Sequence, residues 1–186
     1  MIHYEVSMQH SRETFELLSR MQYNLFCKTN RVIRSILFIA AVLFGLVNSS
    51  EWWGILAIAY GCYLATSTYS SSNHTAHKLA DQVEASGLGY PKSRFLFSQD
   101  QVTISPVPDN KEKRTVMSYQ DFCGLGEDLQ YFYLFRDRFG GYMIPKEALG
   151  EHSDDFRDFI EEHTNRRFQS RTAPVIRMLR RIFKNR

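Results

Sequence analysis

The sequence predicts an α+β protein: a two-helix transmembrane hairpin, a small antiparallel β-barrel or bent sheet, and C-terminal helices. Three observations lead to this prediction. Residues 32–69 contain two apolar runs separated by the polar residues 48–51. From residue 92 the pattern changes from helical spacing to alternation of apolar and polar side chains. After residue 153 the helical spacing returns, and the chain ends in a segment rich in arginine.

Residues 1–31 are predicted to form a strand followed by an amphipathic helix. Residues 2–6 alternate between apolar and polar side chains, as in a half-buried strand. Ser11 is a candidate N-cap for the helix. Its apolar face is formed by residues spaced three and four apart, namely Phe15, Leu18, Met21 and Leu25. This face could pack on the cytoplasmic domain or lie in a membrane interface.

Residues 32–70 are predicted to form the transmembrane hairpin. A helix needs about 20 residues to cross the roughly 30 Å hydrocarbon layer of a bilayer. The run 52–69 is uncharged and long enough, whereas the run 32–47 is marginal and contains Arg34, which can extend to the interface. The alternative is a buried helical pair in a soluble domain. Adjoining apolar runs without a polar stripe favour the membrane.

The residues around the hairpin predict its orientation. Basic residues flank it on both sides, whereas its turn contains only Glu51. This distribution predicts that both termini are cytoplasmic. Trp52, Trp53 and Tyr69 are predicted to be interfacial anchors, because aromatic side chains concentrate at the two membrane surfaces. We do not expect the first run to be a signal peptide, because no small-residue cleavage site follows it.

Residues 71–168 are predicted to form the cytoplasmic β domain and its closing helix. The helix is predicted to begin at Ser153 as the N-cap, with Asp154 and Asp155 in its first turn. Strands are predicted near residues 94–97, 102–104, 114–117, 124–127, 129–135 and 140–144.

Residues 169–186 are predicted to form a basic amphipathic helix that opens at Pro174. Such a helix can lie in the headgroup layer of an anionic membrane, so we expect it to bind lipid headgroups. Packing on the β domain and binding to an acidic protein are the alternatives, and a nucleic acid partner is disfavoured. The residues predicted to make this contact are Arg177, Arg180, Arg181, Lys184 and Arg186.

The sequence shows no motif that predicts catalysis, a cofactor or a metal site. His74 and His77 share a helical face, but no cysteine lies near them. The acidic run at 154–162 has the spacing of a solvated helix face. The aromatic run at 131–135 could stack on bases, but the strand contains no basic residues, which favours a packed core. The three cysteines are too far apart in sequence to indicate a disulfide framework.

The order of these elements resembles the YcxB-like family of small bacterial membrane proteins over roughly residues 1–160. The resemblance rests on a Phe-rich strand in residues 95–104, the Ser-Tyr-x-Asp-Phe turn at 118–122, and the segment at 142–149. That segment contains Ile-Pro-Lys and ends with Leu149, where the family commonly has Phe. The resemblance implies a pleckstrin-homology-like (PH-like) domain anchored in the bacterial inner membrane, with the N-terminal strand joining its sheet. It implies no catalytic residues.

These observations favour a non-enzymatic binding or scaffold protein that presents its β domain at the inner membrane. An immunity protein against a membrane-active or delivered toxin is the alternative, with a cognate toxin as its partner. An enzyme is the third hypothesis. The sequence leaves the oligomeric state open.

Overall fold

The computed structural model describes residues 2–87, 89–108 and 114–170. It contains helices and two sheets, so the predicted α+β class is confirmed. The chain divides into two compact units. We call Arg12–Ala85 the helical unit, and Met1–Ser11 together with Ser86–Arg186 the β unit. The N-terminal strand therefore belongs to a different unit from the helix that follows it.

The helical unit contains three helices: α1 (Arg12–Phe26), α2 (Lys28–Val47) and α3 (Trp52–Ala85). A four-residue turn joins α2 to α3, as the polar break in the sequence predicts. The 34 residues of α3 continue well past the apolar run. At a rise of 1.5 Å per residue, α3 is about 51 Å long, which exceeds the thickness of a hydrocarbon layer.

Helix α1 packs on the C-terminal half of α3. Arg12 lies at the start of α1, and its guanidinium forms ion pairs with Asp81 at 2.7 Å and Glu84 at 3.2 Å. One turn further along α1, Glu16 lies 3.5 Å from His77. Apolar side chains that are buried on these helices include Met21, Ala76 and Ala80. Helix α1 therefore packs against α3, a contact that the sequence analysis did not predict.

The β unit contains two four-stranded sheets. The first has the order β1-β2-β3-β4 and the second β7-β6-β5-β8. All neighbouring strands are antiparallel except β5 and β8, which are parallel. The strands are β1 (Ile2–Gln9), β2 (Lys92–Ser98), β3 (Gln101–Pro106), β4 (Thr115–Ser118), β5 (Gly124–Glu127), β6 (Tyr131–Phe135), β7 (Gly141–Pro145) and β8 (Gln169–Ser170).

Strand β1 pairs with β2, although the whole helical unit separates them in sequence. Val6 pairs with Phe95 and Glu5 pairs with Leu96 in this register. Across the pair, Arg94 Nε donates a 2.8 Å hydrogen bond to Glu5 Oε1. The N-terminal strand thus joins the sheet, as the family resemblance implies.

Helix α4 (Ser153–Thr164) closes one end of both sheets. The ring of Phe156, which is fully buried, lies 5.2 Å from Tyr4, 4.9 Å from Phe97 and 5.5 Å from Phe132. Phe97 belongs to the first sheet and Phe132 to the second. One phenylalanine therefore joins both sheets to the helix.

The start of α4 differs from the sequence prediction. A 3₁₀ turn, Gly150–His152, leads directly into the helix, and Ser153 has the helical angles φ −63° and ψ −38°. An N-cap residue is normally extended, so Ser153 is the first residue of the helix rather than its cap. The acidic first turn, Asp154 and Asp155, is as predicted.

Strand β6 is buried on both faces. Phe132, Tyr133, Leu134 and Phe135 are each at most 1% exposed. Side chains that point to opposite faces of a strand are thus all covered by protein. This confirms the packed core and leaves no exposed aromatic platform on β6 for stacking bases.

Candidate membrane interface

The large apolar side chains of α2 and α3 point outward. Val47 is 84% exposed and Ile55 is 66% exposed. Most of the exposed large apolar residues in the described chain lie on these two helices, among them Ile36, Ile39, Leu43, Leu46, Leu56 and Tyr60. A soluble helical pair places such side chains inside. The described part of this chain therefore leaves most large apolar side chains of the helical pair uncovered.

The most fully buried positions of the same hairpin are mainly glycines. Within residues 32–67, the buried positions are Gly45, Gly54, Gly61 and Leu64. A Cβ atom on Gly54 would lie 2.2 Å from the carbonyl oxygen of Asn48, and one on Gly45 would lie 2.7 Å from the carbonyl oxygen of Gly54. The two backbones approach so closely that no other residue fits there. Small residues between closely packed helices are typical of membrane proteins.

Polar groups within the hairpin have partners inside the hairpin. Arg34, near the start of α2, donates a 3.3 Å hydrogen bond to the Ser67 hydroxyl on α3. The Ser67 hydroxyl donates in turn to the Leu64 carbonyl at 3.2 Å, and the Thr66 hydroxyl donates to the Cys62 carbonyl at 3.1 Å. Serine and threonine can satisfy their hydroxyls within a helix in this way. The Thr66 and Ser67 hydroxyls therefore need no water as a hydrogen-bond acceptor.

The three aromatic anchors predicted from sequence all lie on α3. Trp52 and Trp53 are its first two residues, and Tyr69 lies near its middle. The rings of Trp52 and Trp53 are 3.6 Å apart between centroids, and both side chains are more than half exposed. In the turn beside them, the Asn48 amide donates a 2.9 Å hydrogen bond to the Phe44 carbonyl, which satisfies an acceptor at the end of α2. Tyr69 lies on α3, but its side chain is outside the described part of the chain.

The predicted lipid-binding residues lie outside the described residues, which end at Ser170. These are Arg177, Arg180, Arg181, Lys184 and Arg186. The last described element before them is β8, which pairs with β5 through Gly126 and Gln169. Phe168, just before β8, is buried at 6% exposure and contacts the Phe132 ring at 5.0 Å. The basic segment thus follows a strand that is fixed in the second sheet.

The alternative sites considered from sequence are not assembled in the structure. His77 contacts Glu16, and His74 is exposed. Within the part of the chain that the structure describes, no cluster of His, Cys, Asp and Glu side chains is arranged to hold a metal ion. The acidic residues of α4 that open the helix, Asp154 and Asp155, are exposed, as expected for a solvated face.

One ion-pair cluster was not predicted from sequence. Glu127, which is 8% exposed, lies 3.2 Å from Lys146 Nζ and 3.4 Å from Arg157 Nη2. Lys146 also donates to the Asp128 carbonyl at 2.7 Å. Arg157 Nη2 lies 3.6 Å from Glu161 as well. The cluster joins β5, the segment after β7, and α4.

Hydrogen bonds and a buried ring hold the turn at 118–122 in place. The Ser118 amide donates a 2.8 Å hydrogen bond to Asp121, and the Ser118 hydroxyl accepts one from Gln120. Tyr119 is 2% exposed, and its hydroxyl donates to the Ser98 carbonyl. Burial raises the pKa of Tyr119 far above its ordinary value, so this hydroxyl is a permanent donor at neutral pH.

Comparison of the chain with protein-family models, curated proteins and solved structures finds no match. Within the described residues, one helix, Lys28–Val47, meets both the length and the composition required to cross a membrane.

Proposed function

We propose that this chain is a non-enzymatic binding or scaffold protein anchored in the bacterial inner membrane by the α2–α3 hairpin. The observation that carries the proposal is the reversed burial of the hairpin, with glycines inside and large apolar side chains outside. In water, each exposed large apolar side chain forgoes about 1.5–3 kcal/mol of burial free energy. In hydrocarbon that cost disappears, and close packing through glycines supplies the helix–helix contact.

The pairing of β1 with β2 supports two crossings rather than one. Gln9 pairs with Lys92, so the chain must return to the side of the membrane from which it left. An even number of crossings must therefore lie between these two residues. Helix α2 has the length and composition for one crossing. The apolar run at the start of α3, which is outward-facing and follows a short turn, supplies the second.

The β unit is proposed to be a PH-like domain on the cytoplasmic side. Two packed, mainly antiparallel sheets that α4 covers at one end support this assignment. The segments that carry the family resemblance stabilise the fold here: Ser118 and Asp121 cap a turn, and Lys146 pairs with Glu127. Their contacts thus account for the resemblance without invoking catalysis.

The basic segment after residue 170 is proposed to bind the anionic inner leaflet. Each basic residue near such a surface contributes on the order of 1 kcal/mol. A segment that is already tethered to the membrane needs little further affinity, because the anchor raises its local concentration.

The anchor is tested by alkaline carbonate extraction of membranes from cells that express the full chain. We expect the protein to stay in the pellet. Orientation is tested in a Cys27→Ser, Cys62→Ala background with an impermeant maleimide applied to intact spheroplasts. A Ser49→Cys variant in the α2–α3 turn should label from outside, and the exposed Cys123 of the β unit should label only after lysis.

Release by carbonate would contradict the anchor and make the hairpin a surface contact. Labelling of Cys123 in intact spheroplasts would contradict the proposed orientation but not the proposed membrane anchor. The two results are independent, because extraction does not depend on the side from which the helices enter.

A further inference from the structure

Helix α4 and the first sheet contact one face of the second sheet, which we call the inner face. On this face Phe132 of β6 contacts Phe156 of α4, with the ring centroids 5.5 Å apart. Tyr142 of β7 contacts Phe95 of the first sheet at 5.9 Å. Successive side chains of a strand point to opposite faces. The outer face of β6 therefore carries its three other rings, those of Tyr131, Tyr133 and Phe135.

The outer face combines aromatic rings with bare backbone. Gly124 and Gly126 of β5 pair with Phe135 and Tyr133, so both outward positions of β5 lack a side chain. The rings of Tyr133 and Phe135 are stacked, with 6.5 Å between centroids and 8° between planes. On the other side, a Cβ atom on Gly141 would lie 2.6 Å from Phe135 Cδ1, so this ring leans over the glycine. The outer face is thus a ridge of rings beside a glycine-floored groove.

This outer face is nevertheless buried. Tyr133, Phe135 and Met143 are each 0% exposed, and Gly126 is buried beside them. Large side chains on the outside of a single sheet become fully buried only under a further layer of protein. Helix α4 and the first sheet lie on the inner face, so neither supplies this layer.

The direction of β8 brings the end of the chain to the outer face. Ser170 pairs with Glu127, the last residue of β5, and the two strands are parallel. The chain therefore leaves the sheet edge at the β5–β6 turn, at the end of β6 that carries Tyr131. Strand β6 is two strand spacings, about 10 Å, from β8. A helix that starts at Pro174 covers about 9 Å in six residues, so residues 174–179 reach the rings.

The sequence after Pro174 has the side chains that such a layer needs. Val175, Met178 and Leu179 are spaced three and four apart and share one side of a helix. Arg177 and Arg180 point to the opposite side at the same spacing. This segment lies outside the described residues, and the pattern is a property of its sequence.

We propose that Val175, Met178 and Leu179 pack on the outer face of the second sheet, over the rings of β6 and the glycines of β5. The occupant is this segment rather than another protein because it begins at the edge of the same sheet, which gives it a high effective concentration there. The contact lies within the β unit and depends on neither the membrane anchor nor lipid. It directs the arginines away from the sheet, so the segment binds lipid through its charges.

The test is disulfide cross-linking in the full chain, purified in a neutral detergent without anionic lipid. The background is Cys27→Ser, Cys62→Ala and Cys123→Ser, and the sheet carries Tyr131→Cys. One further cysteine is placed at an apolar position of the segment: Val175→Cys, Met178→Cys or Leu179→Cys. The matched controls place it on the opposite side: Arg177→Cys or Arg180→Cys.

Under mild oxidation we expect at least one apolar position to cross-link severalfold faster than either arginine position, within a single chain. Equal rates at all five positions would overturn the inference. Cross-linked dimers on a non-reducing gel would place the segment on a second copy of the chain and would overturn it as well.

A stability measurement tests the same contact with the sheet left intact. The double variant Met178→Asp, Leu179→Asp and the control Arg177→Asp change the net charge equally, by two units. In detergent, followed by near-ultraviolet circular dichroism, we expect the double variant to lower the midpoint of thermal unfolding by about 5 °C or more and the control to change it little. Equal midpoints for the two variants would overturn the inference. Neither experiment contains anionic lipid, so failure here leaves the proposed anchor and lipid contact unaffected.

Discussion

The Lys146 ammonium group lies 3.2 Å from a carboxylate oxygen of Glu127, a side chain that is almost fully buried. The same ammonium is 4.4 Å from the centre of the Phe132 ring. Lys146 thus connects the end of β7 to the end of β5 and covers an aromatic residue of the core. The Ile-Pro-Lys segment therefore contributes, through Lys146, to the packing of the β unit.

Replacing Lys146 should destabilise the β unit. In Lys146→Met the Glu127 carboxylate keeps Arg157 at 3.4 Å but loses its other charged partner. We expect the free energy of unfolding to fall by about 1–3 kcal/mol. This is less than the cost of leaving a buried charge with no partner, because Arg157 still pairs with Glu127. Chemical denaturation of the full chain in detergent, followed by near-ultraviolet circular dichroism, measures it. Lys92→Met, at an exposed lysine of β2, is the control, and an equal loss there would refute the assignment.

The glycines of the hairpin should differ in their tolerance of alanine. In Gly54→Ala the new Cβ meets the backbone of Asn48, which cannot move without opening the α2–α3 turn. In Gly61→Ala the nearest atoms are side-chain carbons at 3.4 Å, an ordinary contact. We expect Gly54→Ala to lower stability by about 1–3 kcal/mol and Gly61→Ala to change it little.

Thermal unfolding of both variants in the same detergent compares them directly. Both substitutions replace a helical glycine with alanine. A difference between their midpoints of thermal unfolding therefore reports a difference in packing. Equal midpoints would show that the close approach at Gly54 does not stabilise the hairpin.

Charge reversal in the basic segment should release it from anionic lipid. The change is Arg177→Glu, Arg180→Glu and Arg181→Glu in the full chain reconstituted in nanodiscs. Limited proteolysis with chymotrypsin should cut the native segment near Phe183 slowly in anionic nanodiscs and rapidly in neutral ones, whereas the variant should be cut rapidly in both. A native segment that is cut equally fast in both lipids would exclude lipid docking.

The β unit should lose stability as the pH falls below about 6.5. Burial lowers the pKa of His10 from 6.5, so the unfolded chain binds a proton in a pH range where the folded chain does not. The stabilisation that His10 contributes is therefore complete at pH values above its pKa in the unfolded chain. It decreases as the pH falls towards the lower pKa of His10 in the folded chain.

This prediction is checked by thermal unfolding of the full chain at about pH 7.5 and about pH 5.5, values on either side of the ordinary histidine pKa. His10→Gln should reduce the difference between the two midpoints. His152→Gln, at a side chain that is 76% exposed, is the matched control. An unchanged difference in His10→Gln would assign the pH dependence to other groups.

Local pattern was sufficient to predict many of the elements. Alternation located strands near β2, β3 and β7, and apolar spacing located α1 and α4, because each pattern reflects burial within a single element. The hairpin turn followed from four consecutive polar residues between apolar runs. Helix α3 ends at Ala85, whereas the sequence analysis begins the β domain at residue 71.

Long-range contacts were beyond what pattern can show. The ion-pair cluster joins Glu127 to Lys146 and Arg157, which lie on three different segments, and charged residues at such separations carry no periodic signal. The packing partner of α1 depended on the length of α3, which continued as a helix through a run of polar residues.

The position of β1 ahead of the helical unit sets the order of events during synthesis. The ribosome completes Gln9 more than eighty residues before Ser98, the last residue of its partner strand. At bacterial elongation rates this is a delay on the order of ten seconds. During that time β1 has no partner strand, and the first sheet can form only after the whole helical unit has been synthesised. If the hairpin is inserted as we propose, pairing of β1 with β2 requires that both helices have crossed the membrane, so a nascent chain with one helix left outside would keep an unpaired strand edge.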